Sequence, residues 1–379
     1  MSAQDFVLTN ARIVLADEVM HGAVKVRDGV IEDISSPTAT GEDMGGDYLI
    51  PGLVELHTDH LENHYAPRPK VRWNPVAAVQ AHDAQVAASG ITTVFDALRV
   101  GMDEDADMKP EDMVKLANAI EDGVAQGRLR ADHKIHLRCE VSAPDCLTGF
   151  EKLQGDKQVR LVSLMDHAPG QRQFANLDAY AVYYRGKLKM SEEDFQAFSD
   201  KRIAESQQWS TPNRQAISAF CQANGIILAS HDDATLAHVD EAIEQGIRVA
   251  EFPTTIEAAR ASREAGMAVL MGAPNVVRGS SHSGNVSARA LAEAGLLDIL
   301  SSDYIPFSLM QAAFMLEDAV DAITLPQAVA LVSKRPAEAV GLDDRGEIAI
   351  GRRADLVRVE SFDHVPVVRS VWREGRRVI

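Results

Sequence analysis

Long apolar runs, positive charge and paired cysteines are all scarce in this 379-residue sequence. No stretch approaches the roughly 20 consecutive apolar residues that a membrane-spanning helix needs, so no membrane partner is expected. The opening residues, MSAQDFVLTNARIVLADE, show no basic segment followed by an apolar one, so no secretory signal is visible and the cytoplasm is the expected compartment. Lys and Arg total 38 against 56 Asp and Glu, a formal net charge of -18. Nucleic-acid phosphates would be repelled at long range, which argues against a DNA or RNA partner. An anionic small substrate would need a local basic pocket or metal ions. Cys139, Cys146 and Cys221 form neither a C-x-x-C pair nor an even disulfide set, so they read as core thiols in a reducing compartment.

The rest of the composition, 46% hydrophobic and 25% charged, is that of a soluble globular chain. Both ends alternate like small sheets. FVLTNARIVL and GAVKVRDGVIEDI carry a hairpin signal at Asp28-Gly29, and ADLVRVE and PVVRSVWREGRRVI carry another at Glu374-Gly375. Neither end could bury a core alone. We expect residues 1–50 and 345–379 to combine into one small β-sandwich domain that brackets a central domain at 51–344. In that centre, apolar runs alternate with helical stretches. The runs are LIPGLVELH (49–57), TTVFDA (92–97), KIHLRCEVS (134–142), VRLVSLMDH (159–167), GIILASHDD (225–233), IRVAEFP (247–253), MAVLMGAP (267–274) and LDILSSDY (297–304). Eight such units predict an α/β fold, a (β/α)8 barrel of the TIM type, with a doubly wound open sheet as the alternative. Asn74-Pro75 supplies a cap and first-turn proline for a helix ending near Gly90. The segment 169–215 is longer than an ordinary connection and carries Arg172, Tyr183, Tyr184, Arg185 and Lys187, as active-site loops on barrels do.

Histidines and carboxylates, the residues that bind divalent metals, fall at the ends of the predicted strands. His57 and Asp59 are two apart and point to one side of an extended chain. His167, His231 and Asp303 each follow an apolar run directly, where imidazole and carboxylate are costly to bury unless hydrogen-bonded or coordinating. Glu140 has the register to join them as a bridging carboxylate; a structural ion pair with Arg138 is its alternative. Glu251 is a weaker candidate of the same kind. His60 and His64, four apart, suit one helix face or a substrate-facing loop. His21, His82, His133, His136, His238 and His364 read as surface or core residues. His282 lies in VVRGSSHSGN, where small residues and Arg278 could hold phosphate. A basic cluster, Arg68, Lys70 and Arg72 in APRPKVRWNP, follows the first histidines directly and suggests an anionic substrate.

At these residues the chain resembles the amidohydrolase superfamily: a β-rich start, a strand reading PGLVELHTD, an Asp on the last strand and a closing GRRADLV at 351–357. It departs from the commonest pattern of two histidines on the first strand, and it lacks an evident strand-end lysine for carboxylation, which is why Glu140 is nominated as bridge. ELHTDHLENHYAPRPKVRWNP, SLMDHAPGQRQF, ASHDDAT, EFPTT and MGAPNVVRGSSHSGN resemble more narrowly its phosphonate-metabolism (PhnM) branch. That resemblance implies hydrolysis of a ribose methylphosphonate triphosphate to the 5-phosphate and diphosphate in the carbon-phosphorus lyase pathway. It implies one or two divalent ions, zinc first, with manganese, iron or magnesium as alternatives, held by His57, Asp59, Glu140, His167, His231 and Asp303. Asp303 would be the general base. His60, His64, Arg68, Lys70, Arg72, Arg172, Arg185, Lys187, Arg278 and His282 are the candidates for holding the small phosphorylated sugar. Such barrels often self-associate, so a homo-oligomer fits. The competing readings are an amidohydrolase acting on a cyclic amide and a non-catalytic metal-binding component of a phosphonate complex.

Overall fold

The structure, a computed structural model, describes residues 5–101, 108–172, 191–279, 285–363 and 365–379. The chain opens with β1 (Phe6–Val14), β2 (Val19–Arg27), β3 (Val30–Ser35), β4 (Glu42–Asp43) and β5 (Tyr48–Pro51). Eight strands alternate with helices after that: β6 (Leu53–Thr58), β7 (Ile91–Val100), β8 (Asp132–Glu140), β9 (Val159–Met165), β10 (Ile227–His231), β11 (Val249–Glu251), β12 (Ala268–Gly272) and β13 (Ile299–Ser301). The last strands are β14 (Leu356–Phe362), β15 (Val365–Arg373) and β16 (Arg376–Arg377).

The two ends combine as expected. Their strands form one sheet in the order β16-β15-β14-β5-β1-β2-β3, with β4 beside β1, and the antiparallel β5–β14 ladder joins the opening strands to the closing ones. Both hairpin signals are used: Asp28 and Gly29 have φ of 50° and 80°, and Glu374 and Gly375 have 49° and 67°, the positive pair that a tight two-residue turn needs. The apolar run at 49–57, expected as one strand, is shared by two sheets. Tyr48–Pro51 belongs to the terminal sheet and Leu53–Thr58 to the barrel. Gly52 makes the crossing: its amide donates to Asp355 O at 2.8 Å, and a Cβ there would lie 2.2 Å from Thr92 Oγ1.

Strands β6 to β13 lie in chain order, and every neighbouring pair is parallel. Being buried on both faces, they read as near-continuous apolar runs. Val54, Leu56, Phe95, Leu161, Ala229, Val249, Leu270 and Ile299 form one buried cluster drawn from every barrel strand but β8. Larger clusters fill the space between strands and helices. Asn74 caps the helix Pro75–Ala88 as the sequence predicts, its side chain accepting from the Ala77 amide at 3.0 Å.

The barrel closes where β6 meets β13. Thr58 and Asp303 form a parallel bridge, the Asp303 amide donates to His57 O at 3.0 Å, and the Asp59 amide donates to Asp303 O at 3.1 Å. Beside the bridge, the buried Glu55 side chain, which burial pushes up to about 8, clips the two strands together. Its Oε1 accepts from the His57 amide and its Oε2 from the Ser302 amide, both at 2.6 Å.

A second buried polar group ties the helix Pro75–Ala88 to the outer face of the barrel. His82 Nε2 lies 2.8 Å from Asp96 Oδ1, His133 Nδ1 lies 2.7 Å from Asp96 Oδ2, and His133 Nε2 lies 3.2 Å from Asp83 Oδ1. Asp83 is held in turn by the Arg130 and Ala131 amides and the Arg130 guanidinium. Burial pushes the His133 imidazole down, but Asp96 and Asp83 outweigh it and hold it up at about 9. Burial likewise opposes ionisation of Asp96, and the two histidines overcome it, holding that carboxyl at about 2.

Two outcomes follow for stability. The folded pKa of His133 lies above its unfolded value of 6.5, so its contribution is full below 6.5 and is lost as pH rises through about 9. Urea titrations should show the unfolding free energy falling by on the order of 3 kcal/mol across that window. His133→Gln should flatten the dependence, and an unchanged slope in the variant would contradict the assignment. Removing the seam clip with Glu55→Ala strands two buried amide donors, each costing about 1–3 kcal/mol. The same titrations should show that loss at pH 7, and a variant as stable as the parent would exclude the clip.

Candidate metal centre

Three of the residues that leave the barrel strands have left-handed backbone: Asp232 after β10, Phe252 after β11 and Asp303 after β13, with φ of 58°, 53° and 56°. That conformation costs a side-chain-bearing residue roughly 1–2 kcal/mol. It turns the chain sharply at the barrel mouth, where such strain is met at functional sites. Strand β6 also breaks register between Glu55 and Thr58, and His57 sits within that break. From His136 to the end of β8 the alternation is regular. His136, Arg138 and Glu140 pair with Leu161, Ser163 and Met165 of β9 and so share one face, the face of interior residue Leu161.

Two groups of potential metal donors meet there. The first is His57, His136 and Glu251, all buried; the second is His167, His231 and Asp232. Glu251 joins the groups: its Oε1 lies 3.1 Å from His57 Nδ1 and its Oε2 lies 3.2 Å from His231 Nδ1. His136 Nε2 lies 3.9 Å from Glu251 Oε1, and His136 is fixed by Leu56 O at 3.0 Å and Ser163 Oγ at 2.9 Å. In the second group Asp232 Oδ2 lies 3.5 Å from His231 Nε2 and 3.7 Å from His167 Nε2. Glu140 orients His167, with Oε2 2.6 Å from Nδ1 and Oε1 accepting the His167 amide at 2.9 Å.

The electrostatics suit a cation. Burial pushes His57 well below the usual imidazole value and His136 and His231 down to about 3, so the rings are neutral, which is the form that coordinates. Burial raises Asp232 to about 6; burial and the Asp59 charge raise Asp303 to about 7. Burial would also raise Glu140, but His167, Arg99 and Arg202 hold it below the ordinary carboxylate range. Among the described residues, the buried His57 Nε2 and Asp232 Oδ2 have no hydrogen-bond partner. Neutral imidazoles, carboxylates and two orphaned donor atoms in one buried space fit a divalent ion. Arg138 brings positive charge to the same place, donating to Asp59 Oδ2 at 3.1 Å with Asp303, Glu62 and Glu251 in its field.

Of the residues expected to bind metal, His57, His167 and His231 fall within the two donor groups, and Glu140 touches His167. Asp303 and Asp59 are joined through their backbones at the seam, and Asp59 faces Arg138. The residues expected to hold substrate are more scattered. His60 and His64 turn to Gln85, with their Nε2 atoms 3.0 and 3.2 Å from its Oε1. Arg68 and Lys70 are exposed, Arg72 pairs with Asp112 at 3.2 Å, and Arg278 is an exposed helix end. Arg172 is buried against Asp233 and Glu241. Arg185, Lys187 and His282 lie outside the described residues, as do Tyr183, Tyr184 and His364. Sequence reasoning missed His136, Asp232, Arg99, Arg138 and Arg202. The period-two register that selected Glu140 also selects Arg138 and His136, and was the available signal.

Residues 216–379 match the model of the amidohydrolase family. Alpha-D-ribose 1-methylphosphonate 5-triphosphate diphosphatase of Escherichia coli K12 is 50% identical over 376 residues, covering 98% of this chain and 100% of its own. Imidazolonepropionase of Deinococcus deserti is 25% identical, covering 94% of this chain and 92% of its own. N-acetylglucosamine-6-phosphate deacetylase from Pasteurella multocida shares the fold with a TM-score of 0.66 over 99% of both chains at 14% identity. A barrel of eight parallel strands with histidines and carboxylates at its mouth, and half-identity from end to end with the E. coli protein, lead to one assignment: the chain belongs to the amidohydrolases, in the family of that diphosphatase.

Proposed function

We propose that the chain hydrolyses alpha-D-ribose 1-methylphosphonate 5-triphosphate to the 5-phosphate and diphosphate, as a step of phosphonate breakdown in the cytoplasm. The observation that carries this reading is the 50% identity spread over the whole of both chains. The chemistry of the barrel mouth supports it. His57, His136, His167, His231, Asp232 and Glu251 would hold one or two divalent ions, with Asp59, Glu140 and Asp303 at their edge. Histidine-rich sets of this kind favour zinc, and manganese, iron and magnesium are the alternatives. When bound, such an ion polarises a phosphoryl oxygen and makes water a better nucleophile.

Each residue then has a definite task. Asp303, raised to about 7, exchanges a proton near neutral pH and takes one from the attacking water. Its left-handed backbone and the hydrogen bonds of the seam fix where that carboxylate stands. Glu251 holds the His57 and His231 rings in one orientation, and Glu140 does the same for His167. Arg138 and Arg99, on the β8 and β7 ends of the barrel interior, would take up charge that phosphoryl transfer spreads over peripheral oxygens. Such cations suit an anionic substrate better than a neutral cyclic amide.

Diphosphate release should be fast with the ribosyl methylphosphonate triphosphate, at least about 100-fold slower with nucleoside triphosphates, and absent with imidazolone and hydantoin substrates. Preference for a cyclic amide would overturn the reading. Asp303→Asn should lower kcat by about 100- to 10,000-fold with metal content retained. Near-normal turnover would remove the aspartate from its role. Hydrolysis in heavy-oxygen water should place the label in the ribosyl 5-phosphate; label confined to diphosphate would place the attack on the other phosphorus.

A further inference from the structure

The longest helix among the described residues, Glu192–Asn224, leads into β10 and runs for 33 residues, where the next longest, Pro110–Ala125, has 16. Between Phe195 and Ile217 every buried residue on it is polar or charged: Ser199, Arg202, Ser206, Asn213 and Arg214. A helix that packs on an apolar core shows an apolar stripe instead, so this face meets polar surroundings. We propose that Arg202, together with Arg99 of β7, binds the diphosphate half of the substrate and takes up the charge of the leaving group. The inference rests on the substrate proposed above.

Arg202 is buried. Its Nη2 donates to Ser142 Oγ, just past the end of β8, at 3.3 Å and lies 3.8 Å from Glu140 Oε1, while its Nη1 lies 3.4 Å from Glu205 Oε2. Four residues on, Ser206 Oγ donates to Asp166 Oδ2, just past β9, at 2.8 Å. These contacts seat the helix over the ends of β8 and β9. At the other oxygen of Glu140, Arg99 Nη2 lies 3.8 Å from Oε2. Glu140 already accepts from the His167 amide and the Ser142 hydroxyl and pairs with the His167 ring. Both guanidiniums therefore stand beside it at the distance of an ion pair, not of a hydrogen bond. Two cations flank the one carboxylate that orients a metal-donor histidine.

The ring of strands decides which end of the substrate these cations meet. Counted from β13 in either direction round the closed barrel, β9 is the fourth strand and so lies opposite, with β8 beside it. Asp303, the proposed base, leaves β13, and Arg202 sits across the mouth from it. In phosphoryl transfer the attacking and leaving oxygens lie roughly in line through the phosphorus. The water oxygen bonds to the phosphorus next to the ribose as that phosphorus loses its bond to the bridging oxygen. The water proton goes to Asp303, and the electron pair of the broken bond leaves with diphosphate. A water held beside Asp303 therefore sends the diphosphate towards Arg202 and Arg99. Arg138, which donates to Asp59, stands on the side of attack. The guanidinium fork matches phosphate oxygens in pairs and keeps its charge, which suits a leaving group of this kind.

The test is calorimetric titration of the full, zinc-loaded chain with inorganic diphosphate and, separately, with ribose 5-phosphate, with bound zinc checked after each titration. Arg202→Gln should weaken diphosphate binding about 10- to 100-fold and leave ribose 5-phosphate binding within about twofold of the parent. Arg99 is only partly buried, so Arg99→Gln, expected to lose diphosphate affinity in the same direction, decides the matter should Arg202→Gln misfold. Parent-like diphosphate affinity in the folded variant would overturn the proposal. An equal loss for both ligands would overturn it too, by reducing Arg202 to a support of the whole mouth. No turnover is needed, so a parent that binds diphosphate through these arginines yet ignores the ribosyl triphosphate would defeat the substrate reading and leave the diphosphate site standing.

Discussion

One buried carboxylate organises the mouth of this barrel. Glu251, at the end of β11, lies between His57 from β6 and His231 from β10, with one oxygen for each ring. An isolated carboxylate in such a place is costly, and here hydrogen bonds with two imidazoles compensate for it. Those rings are neutral because burial disfavours their charged form. The same burial that makes them good ligands lifts Asp232 and Asp303 towards neutrality. A divalent ion held there would reverse that proton balance. Arg138, which donates to Asp59, brings positive charge to the same place.

Geometry at the mouth depends on features below it. The seam between β6 and β13 carries few ladder bonds, and Glu55 makes up for this by accepting an amide from each strand. The register break of β6 and the left-handed residues after β10, β11 and β13 then aim the side chains inward. Each device costs some stability. The apolar clusters around the strands and the ion network of Asp83, His133 and Asp96 compensate for it away from the chemistry.

Much of this was legible before any coordinates. Eight apolar runs alternating with helices gave the barrel, because parallel strands covered on both faces show little else than apolar residues. Asp28-Gly29, Glu374-Gly375 and Asn74-Pro75 are local signals whose physics is complete within a few residues, and each was realised. The split of 49–57 at Gly52 was hidden, since the run stays apolar while it changes sheets. His57, His167 and His231 were visible as costly residues ending apolar runs. His136 was not, because it lies inside its strand and only the face it shares with Glu140 gives it away. Arg172 shows the opposite failure. A basic residue in a long polar segment reads as a substrate contact, yet its partners Asp233 and Glu241 lie 61 and 69 residues away, a pairing no local pattern contains.

The central claim is that the donors gathered around Glu251 hold a divalent ion. Anomalous X-ray scattering from crystals of the zinc-loaded chain, recorded at the zinc edge, tests it most directly. The account predicts a peak bounded by His57, His231 and their neighbours at the barrel mouth, lost in Glu251→Ala. A mouth without anomalous density in fully loaded crystals would contradict it.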